Sequence, residues 1–368
     1  MMPLTDREPA APDFSVPVQG TGPFTSVIVV SFNGRTNLER CLPSLLDQGC
    51  DDREIIVVDN ASTDGTASYL ENAFPTVPVV RSDVNLGFGV GCNVGARPAR
   101  GEFLAFLNPD TVAEAGWLDD LVGALCDDRR AGIATARVLL LRAPDRINAC
   151  GNDTHYTGLT LCRGLGVGHA ALNEPSVVGA VSGAAFAIRR DVFEALGGFD
   201  PSFFLYMEDT DLSWRARLAG YTCVYVPSSV VYHDYTLRFG PEKTFFQERN
   251  RYLLLLKTFR WRTLIILAPA LLLAEIATWG FVLLREKRHL MNKLRAYAWI
   301  GTHWGQVMES RRRTQALRTV CDRDLIADCT YRLAFEQTGD GCIAHVAHAL
   351  FDPLFFMLWH LTLVLVRW

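Results

Sequence analysis

The chain has 368 residues, 49% of them apolar and 21% charged, with a formal net charge of −4. That composition excludes a disordered or low-complexity chain and supplies core for one large domain or two modest ones. Charge is uneven: residues 1–234 hold 17 Arg, no Lys and 29 acids (−12), whereas residues 235–368 hold 19 Lys plus Arg and 11 acids (+8).

The basic part is also the most apolar, so its expected partner is a membrane surface or a lipid phosphate. No nucleic-acid-binding motif accompanies the charge, and no nucleic acid is expected. The ten cysteines include no Cys-x-x-Cys pair, which argues against a zinc or redox motif and fits a reducing compartment. Residues 1–24 are Pro-rich without an apolar secretory core, and read as a disordered leader.

Ser26 to Phe32 is a β-branched run and a first strand, ended by Asn33-Gly34. Leu38, Cys41, Leu42, Leu45 and Leu46 recur at helical spacing behind it. Glu54 to Asp59 is a second strand, closed by the turn residues Asn60 to Gly65; a helix follows, then a third strand over Val77 to Arg81. This alternation predicts an α/β fold with a mostly parallel, doubly wound sheet. Asp59 ends a strand, where a carboxylate accepts from a nucleobase or ribose, or closes an Asx turn. Asn85 to Gly95 carries four glycines without the G-x-G-x-x-G spacing and opens a helix of small residues. Close packing on the sheet explains that stretch better than a dinucleotide site.

Phe103 to Leu107 is an unbroken apolar run, expected of a strand buried on both faces. Asn108-Pro109-Asp110 follows without a spacer, and Pro109 stops the strand. Hard oxygen donors therefore stand at the carboxyl end of a central strand, where open α/β sheets bind ligands, and they suit a divalent cation holding a diphosphate. The plainer alternative is an Asn-Pro-Asp turn. Trp117 to Leu125 reads as a helix, Ile133 to Leu141 as a strand, and Asn148 to Gly168 as a loop or hairpin. His155 and His169 are candidate substrate contacts there.

Ser182 to Ile188, including Gly183, is a small-residue strand able to line a sugar pocket. Glu208, Asp209 and Asp211 then crowd three carboxylates into four residues after an apolar lead-in. Such crowding raises at least one pKa and makes a base plausible. On a helix starting near Glu208 neighbours diverge by ~100°, so one acid faces the site while another caps the helix or pairs with Arg215 or Arg217. Tyr221 to Val226 and Ser229 to His233 are further strands. His233 closes its run as Asp110 does and is a candidate metal or phosphate ligand.

These blocks, from VIVVSFNGRTNLERCLPSLLDQ through EIIVVDNASTDGT, NLGFGVGCNVG, FLNPDT and GAAFAIRRDVFEALGGFDPSFFLYMEDTDLSWRARLAGY to VVYH, stand in one order over residues 25–260. In that order they resemble family 2 glycosyltransferases of the GT-A fold, particularly the rhamnosyltransferase-like branch. The resemblance implies a nucleoside-diphosphate-sugar donor held by Ser31, Asn33 and Asp59, with Asn60, Asn85, Asn108 and Gly183 nearby. It implies Mg²⁺ or Mn²⁺ on Asp110 and His233, and Asp209 as general base beside Glu208. The expected reaction is inverting transfer, with rhamnose as the candidate sugar, to a glycan or polyprenyl-diphosphate-linked acceptor in bacterial cell-surface polysaccharide synthesis. The alternatives are a sugar nucleotidyltransferase and a non-catalytic carbohydrate-binding protein. The nucleotidyltransferase would show a Lys- or Arg-bearing Gly-rich loop where this chain reads SFNGRTNLER.

Residues 261–368 form a second, helical region. Leu264 to Leu284 is long enough to span a bilayer, and Leu350 to Val366 is a second apolar stretch. Arg260 and Arg262 precede the first, and Arg285, Lys287 and Arg288 follow it, so flanking charge sets no orientation. Arg311-Arg312-Arg313 reads as an exposed basic cluster. The expectation is a membrane-associating extension at the cytoplasmic face, spanning or lying on the bilayer.

Overall fold

The computed structural model describes residues 24–48, 52–235, 241–285, 289–337 and 341–368; nearly all of the expected leader, and Lys287 and Arg288, lie outside the described residues. The front of the chain alternates as its apolar periodicity predicts: β1 Thr25–Ser31, α1 Arg35–Leu46, β2 Arg53–Asn60, α2 Thr66–Ala73, β3 Val79–Ser82, α3 Phe88–Ala96 and β4 Phe103–Leu107. After Pro109 come β5 Thr111–Ala113, α4 Trp117–Asp127, β6 Ala131–Leu140, β7 Ala143–Ala149, the hairpin β8 Asn152–Thr154 and β9 Thr160–Cys162, and β10 Ser176–Val177. Next are β11 Ala185–Arg189, α5 Arg190–Ala195, α6 Glu208–Leu218 and β12 Thr222–His233. Among the described residues six α-helices follow: α7 Pro241–Thr258, α8 Trp261–Arg285, α9 Leu290–Thr302, α10 Trp304–Ala316, α11 Asp322–Ala327 and α12 Gly341–Leu365.

The main sheet runs β10-β12-β6-β11-β4-β1-β2-β3. The β4-β1-β2-β3 half is parallel, as expected. The other half is mixed. β11 lies antiparallel between β4 and β6, while β12 is again parallel to β6. The two runs expected as separate strands before His233 are one strand, irregular between Val226 and Val230. Because β11 is reversed, its amino end reaches the same sheet edge as the carboxyl ends of β1, β2, β4 and β12.

β4 is buried at all five positions. Its alternating side chains feed two cores: Phe103, Ala105 and Leu107 on one face, Leu104 and Phe106 on the other. The Phe106 ring lies 5.1 to 5.4 Å from those of Phe186, Phe193 and Phe199. The glycines of α3 serve the close approach expected of them. A Cβ on Gly91 would come within 2.7 Å of Val30, and one on Gly95 within 2.6 Å of Ile28. Asn93, buried on the same helix, brackets the Gly197-Gly198-Phe199 turn, donating to Phe199 O and accepting from its N–H, both at 2.8 Å.

A third apolar cluster joins both halves of the chain. It contains Tyr156, Trp214 and Leu218 with Leu254, Leu255, Leu267, Ala270, Ala274, Phe355 and Val366. His155 belongs to this interior and touches no open cleft. It is buried against the rings of Tyr156 and Phe355 and hydrogen-bonded to Thr157, and burial pushes its pKa down to about 3. His169 is exposed. The arginine cluster also divides. Arg311 lies over Trp261 and donates to the carbonyls of Leu256 and Phe259, while Arg312 and Arg313 are exposed and pair with Glu309.

Candidate active site

Ser31 and Asp59 face each other in register at the ends of β1 and β2. The Ser31 hydroxyl is buried without a partner, and Asp59 Oδ1 accepts the Ser62 N–H at 3.1 Å. Asn33 takes a left-handed backbone, φ 52°, which an Asn tolerates better than most residues. Its Oδ1 accepts the Thr63 N–H at 2.7 Å while its own N–H donates to Ser62 Oγ. The β1–α1 and β2–α2 loops are thereby locked together. Asn60 accepts the Leu86 N–H and donates to Asn85 Oδ1 and Gly87 O, so Asn60 and Asn85 brace the loop that leads into α3.

At the end of β4, the Asn108 N–H donates to Ala184 O at 2.9 Å, and its carbonyl accepts the Thr111 hydroxyl at 2.7 Å. This turn delivers Asp110 to His233, because Thr111 and His233 are paired between β5 and β12. Asp110 Oδ1 is buried without a hydrogen bond, 3.2 Å from His233 Nε2. His233 Nδ1 lies 2.8 Å from Asn148 Oδ1. An amide oxygen only accepts, so Nδ1 carries a proton and Nε2 is the ring nitrogen that faces the carboxylate. A buried carboxylate oxygen without a hydrogen bond, beside an imidazole nitrogen, is a donor pair that would fit a divalent cation.

The second wall is the start of α6. Tyr206 and Met207 both have φ near +65°, a strained conformation for two consecutive non-glycine residues. The reversal aims Asp209 back at the strand edge. Asp209 Oδ2 accepts the Gly183 N–H at 2.8 Å and the Asn152 amide at 3.3 Å; Oδ1 accepts the Thr210 N–H at 2.6 Å. Gly183 therefore cradles the carboxylate, one residue from the Ala184 carbonyl that receives Asn108. Glu208 points elsewhere. It is buried, its Oε2 has no partner, and burial, reinforced by the Asp209 charge, pushes its pKa up to about 8. Burial also raises Asp209, against the hydrogen bonds from Gly183 and Thr210. Asp211 turns inward to Arg215 at 2.8 Å and to Lys257 at 2.7 Å. The three acids diverge as helical geometry requires.

Two further anchors carry no motif in the sequence. Asn250 of α7, fully buried, donates to Leu205 O at 3.0 Å and Tyr206 O at 2.6 Å and so holds the strained turn. Lys257, two turns along the same face of α7, joins Asp211 to Asp200, which Ser310 of α10 also contacts. The only hint of Asn250 is a polar Glu-Arg-Asn-Arg tetrad ahead of a leucine run.

The glycosyl transferase family 2 model matches residues 26–197. Among curated relatives, the N-acetylglucosaminyl-diphospho-decaprenol L-rhamnosyltransferase of Mycobacterium tuberculosis is 31% identical over 239 residues, covering 56% of this chain and 75% of the relative. The pre-mycofactocin glycosyltransferase of the same organism is 30% identical over 215 residues, covering 57% and 42%. Among solved structures, S. aureus TarS 1–349 in complex with UDP-GlcNAc aligns with a TM-score of 0.52 at 17% identity, covering 92% of this chain and 90% of that one. GalNAc-T7 with UDP, GalNAc and Mn²⁺ aligns with a TM-score of 0.52 at 22% identity, covering 63% and 47%. The sheet and its polar edge thus define a GT-A glycosyltransferase fold. The chain belongs to family 2 of the glycosyltransferases and is a nucleotide-sugar-dependent transferase.

Proposed function

We propose that this enzyme moves a sugar, with rhamnose the first candidate, from a nucleoside diphosphate to a hydroxyl of a polyprenyl-diphosphate-linked glycan, inverting the anomeric carbon. The observation that carries the reading is the convergence of two acidic groups on one sheet edge. The Asp110–His233 pair follows β4 at that edge, and Asp209, cradled by Gly183, meets it just before β11, where Ala184 accepts the Asn108 N–H. Ser31, Asn33 and Asp59 would hold the nucleoside, with Asn60, Asn85 and Asn108 nearby. Asp110 and His233 would hold Mg²⁺ or Mn²⁺, which when bound neutralises charge on the leaving diphosphate. Asp209 accepts the proton of the attacking hydroxyl as that oxygen bonds to C1 and the C1–O bond to the diphosphate breaks. One base and one displacement need no covalent nucleophile. Glu208, held protonated beside it, leaves the ionised role to Asp209. The M. tuberculosis relative's named acceptor, a diphospho-decaprenol, supports the lipid-linked choice, as do the two long apolar helices. The cytoplasmic face is the side on which nucleotide sugars would meet such an acceptor.

The test is transfer from UDP-, GDP- and dTDP-sugars to a synthetic polyprenyl-diphosphate sugar, with Mg²⁺ or Mn²⁺ and with EDTA. We expect one nucleoside diphosphate released per transfer, no turnover in EDTA, and a loss of about 10²–10⁴-fold in Asp209→Asn. A retained anomeric configuration in the product, or full activity of Asp209→Asn, would overturn the mechanism.

A further inference from the structure

The helices α8 and α12 pass the length and composition test for a membrane span, over Trp261–Leu283 and Gly341–Leu365. Their inner faces are packed on the rest of the chain. The inner face of α8 presents Leu267, Ala270 and Ala274 to the cluster that includes Trp214 and Leu218 of α6, the helix that opens with Asp209. The same helix carries Glu275, which pairs with Arg251 of α7 and, at 3.1 Å, with Lys293 of α9, and accepts from Tyr297 at 2.5 Å. Burial alone would raise its pKa, but Arg251 and Lys293 hold it down at about 2. Moving α8 across a bilayer would either tear out this ion cluster or drag the arginines of α6 into hydrocarbon, and charge there is costly. α12 is tied down over its second half and just beyond its end. Tyr156 donates to Phe355 O at 3.0 Å, Trp359 to Ile326 O at 3.0 Å, and Asp322 N–H to Trp368 O at 2.8 Å.

The outer faces are the reverse of a soluble helix. On α8, Ile265, Leu272 and Ile276 are 73, 64 and 55% exposed; on α12, Val346, Met357 and Val364 are 69, 57 and 63% exposed. No charged side chain is exposed on α8 between Thr263 and Leu283. Positive charge stands at the rim instead. Arg262 lies over the Trp368 ring at 4.4 Å, and Arg323 and Arg367 line an open groove of about 640 Å³ with His360, Leu363 and Val364. Trp261 and Trp304 add an aromatic pair, ring centroids 6.2 Å apart. An apolar face edged by arginine and tryptophan matches the layering of a lipid leaflet with anionic headgroups.

We propose that α8 and α12 form a monotopic platform that sinks its outer apolar face into one leaflet of an anionic bilayer, with neither helix crossing it. The inference deepens the membrane part of the function proposed above and is independent of the sugar transferred. It sets the helix that opens with Asp209 against the apolar cluster on which the inner face of α8 packs.

The purified full chain is added to preformed sealed vesicles of phosphatidylcholine with or without phosphatidylglycerol. Binding is read by flotation, and topology by a membrane-impermeant maleimide localised by mass spectrometry. Cys342, exposed at one end of α12, and a cysteine introduced as Arg367→Cys at the other report the two ends. We expect flotation that rises with phosphatidylglycerol, labelling of both positions from outside, and a loss of bound fraction of at least about tenfold in Leu272→Glu/Ile276→Glu. That double variant should keep its circular dichroism spectrum. One end labelled and the other protected would mean a span and overturn the proposal. No flotation at all would defeat the membrane reading itself, and a dimer that hides Cys342 would give the face to a second copy. Neither result bears on donor turnover, which the preceding assay reads separately.

Discussion

Glu208 and Asp209 are chain neighbours with unlike surroundings. Asp209 receives hydrogen bonds from Gly183, Asn152 and Thr210, whereas Glu208 is buried with an unpartnered oxygen. A carboxyl whose folded pKa is about 8 binds a proton that the unfolded chain has lost above its ordinary value of 4.5. Its contribution to stability is therefore full below about pH 4.5 and disappears as pH rises through 8. Glu208→Gln should flatten that part of the profile and melt above the parent at pH 8.5; thermal melts from pH 5 to 9 would read it, and parallel curves would refute the assignment. The imidazole of His233 depends on Asn148 in a comparable way. Losing a partner that orients a metal ligand typically costs about 10–100-fold in affinity. Asn148→Ala should raise the Mn²⁺ concentration for half-maximal turnover by about that factor and leave saturated turnover much less affected; an unchanged Mn²⁺ titration would rule the role out.

Among the elements, α7 does what no motif announces. Its Asn250 fixes the Tyr206–Met207 reversal, and the adjacent Arg251 grips Glu275 of α8. A displaced carboxylate near the chemistry costs about 10²-fold when the error reaches 1 Å. Asn250→Ala should lower kcat by about tenfold or more while donor KM stays close to the parent, and Asn250→Asp should not restore it, since a carboxylate donates no N–H. Equal losses in kcat and melting temperature across both variants would reduce Asn250 to a fold residue. The strand β4 and its polar end were legible because a five-residue apolar run cut by proline has few other readings. The reversed direction of β11 was not, because burial on both faces writes the same pattern in either orientation. Arg311 looked exposed in the sequence because neither the α7–α8 junction carbonyls nor the Trp261 ring can be placed from it. His155 misled for the opposite reason: a loop position gives no sign that α12 will cover it.

For the whole molecule, the boundary expected at residues 260 and 261 falls between α7 and α8, yet the apolar cluster crosses it. We expect a chain ending at residue 260 to expose Trp214, Leu218 and Tyr156, lose its cooperative melt and aggregate. A soluble, cooperatively melting 1–260 fragment would restore two independent domains. The order of the sheet also has a consequence for synthesis. β4 pairs with β1 on one side at once, but its other neighbour, β11, ends about 80 residues later in the chain. At ribosomal rates of about 5–20 residues per second, the most apolar strand edge waits several seconds for its partner. The nascent β1–β4 half thus has a window in which a chaperone, or a neighbouring chain on the same message, competes for that edge.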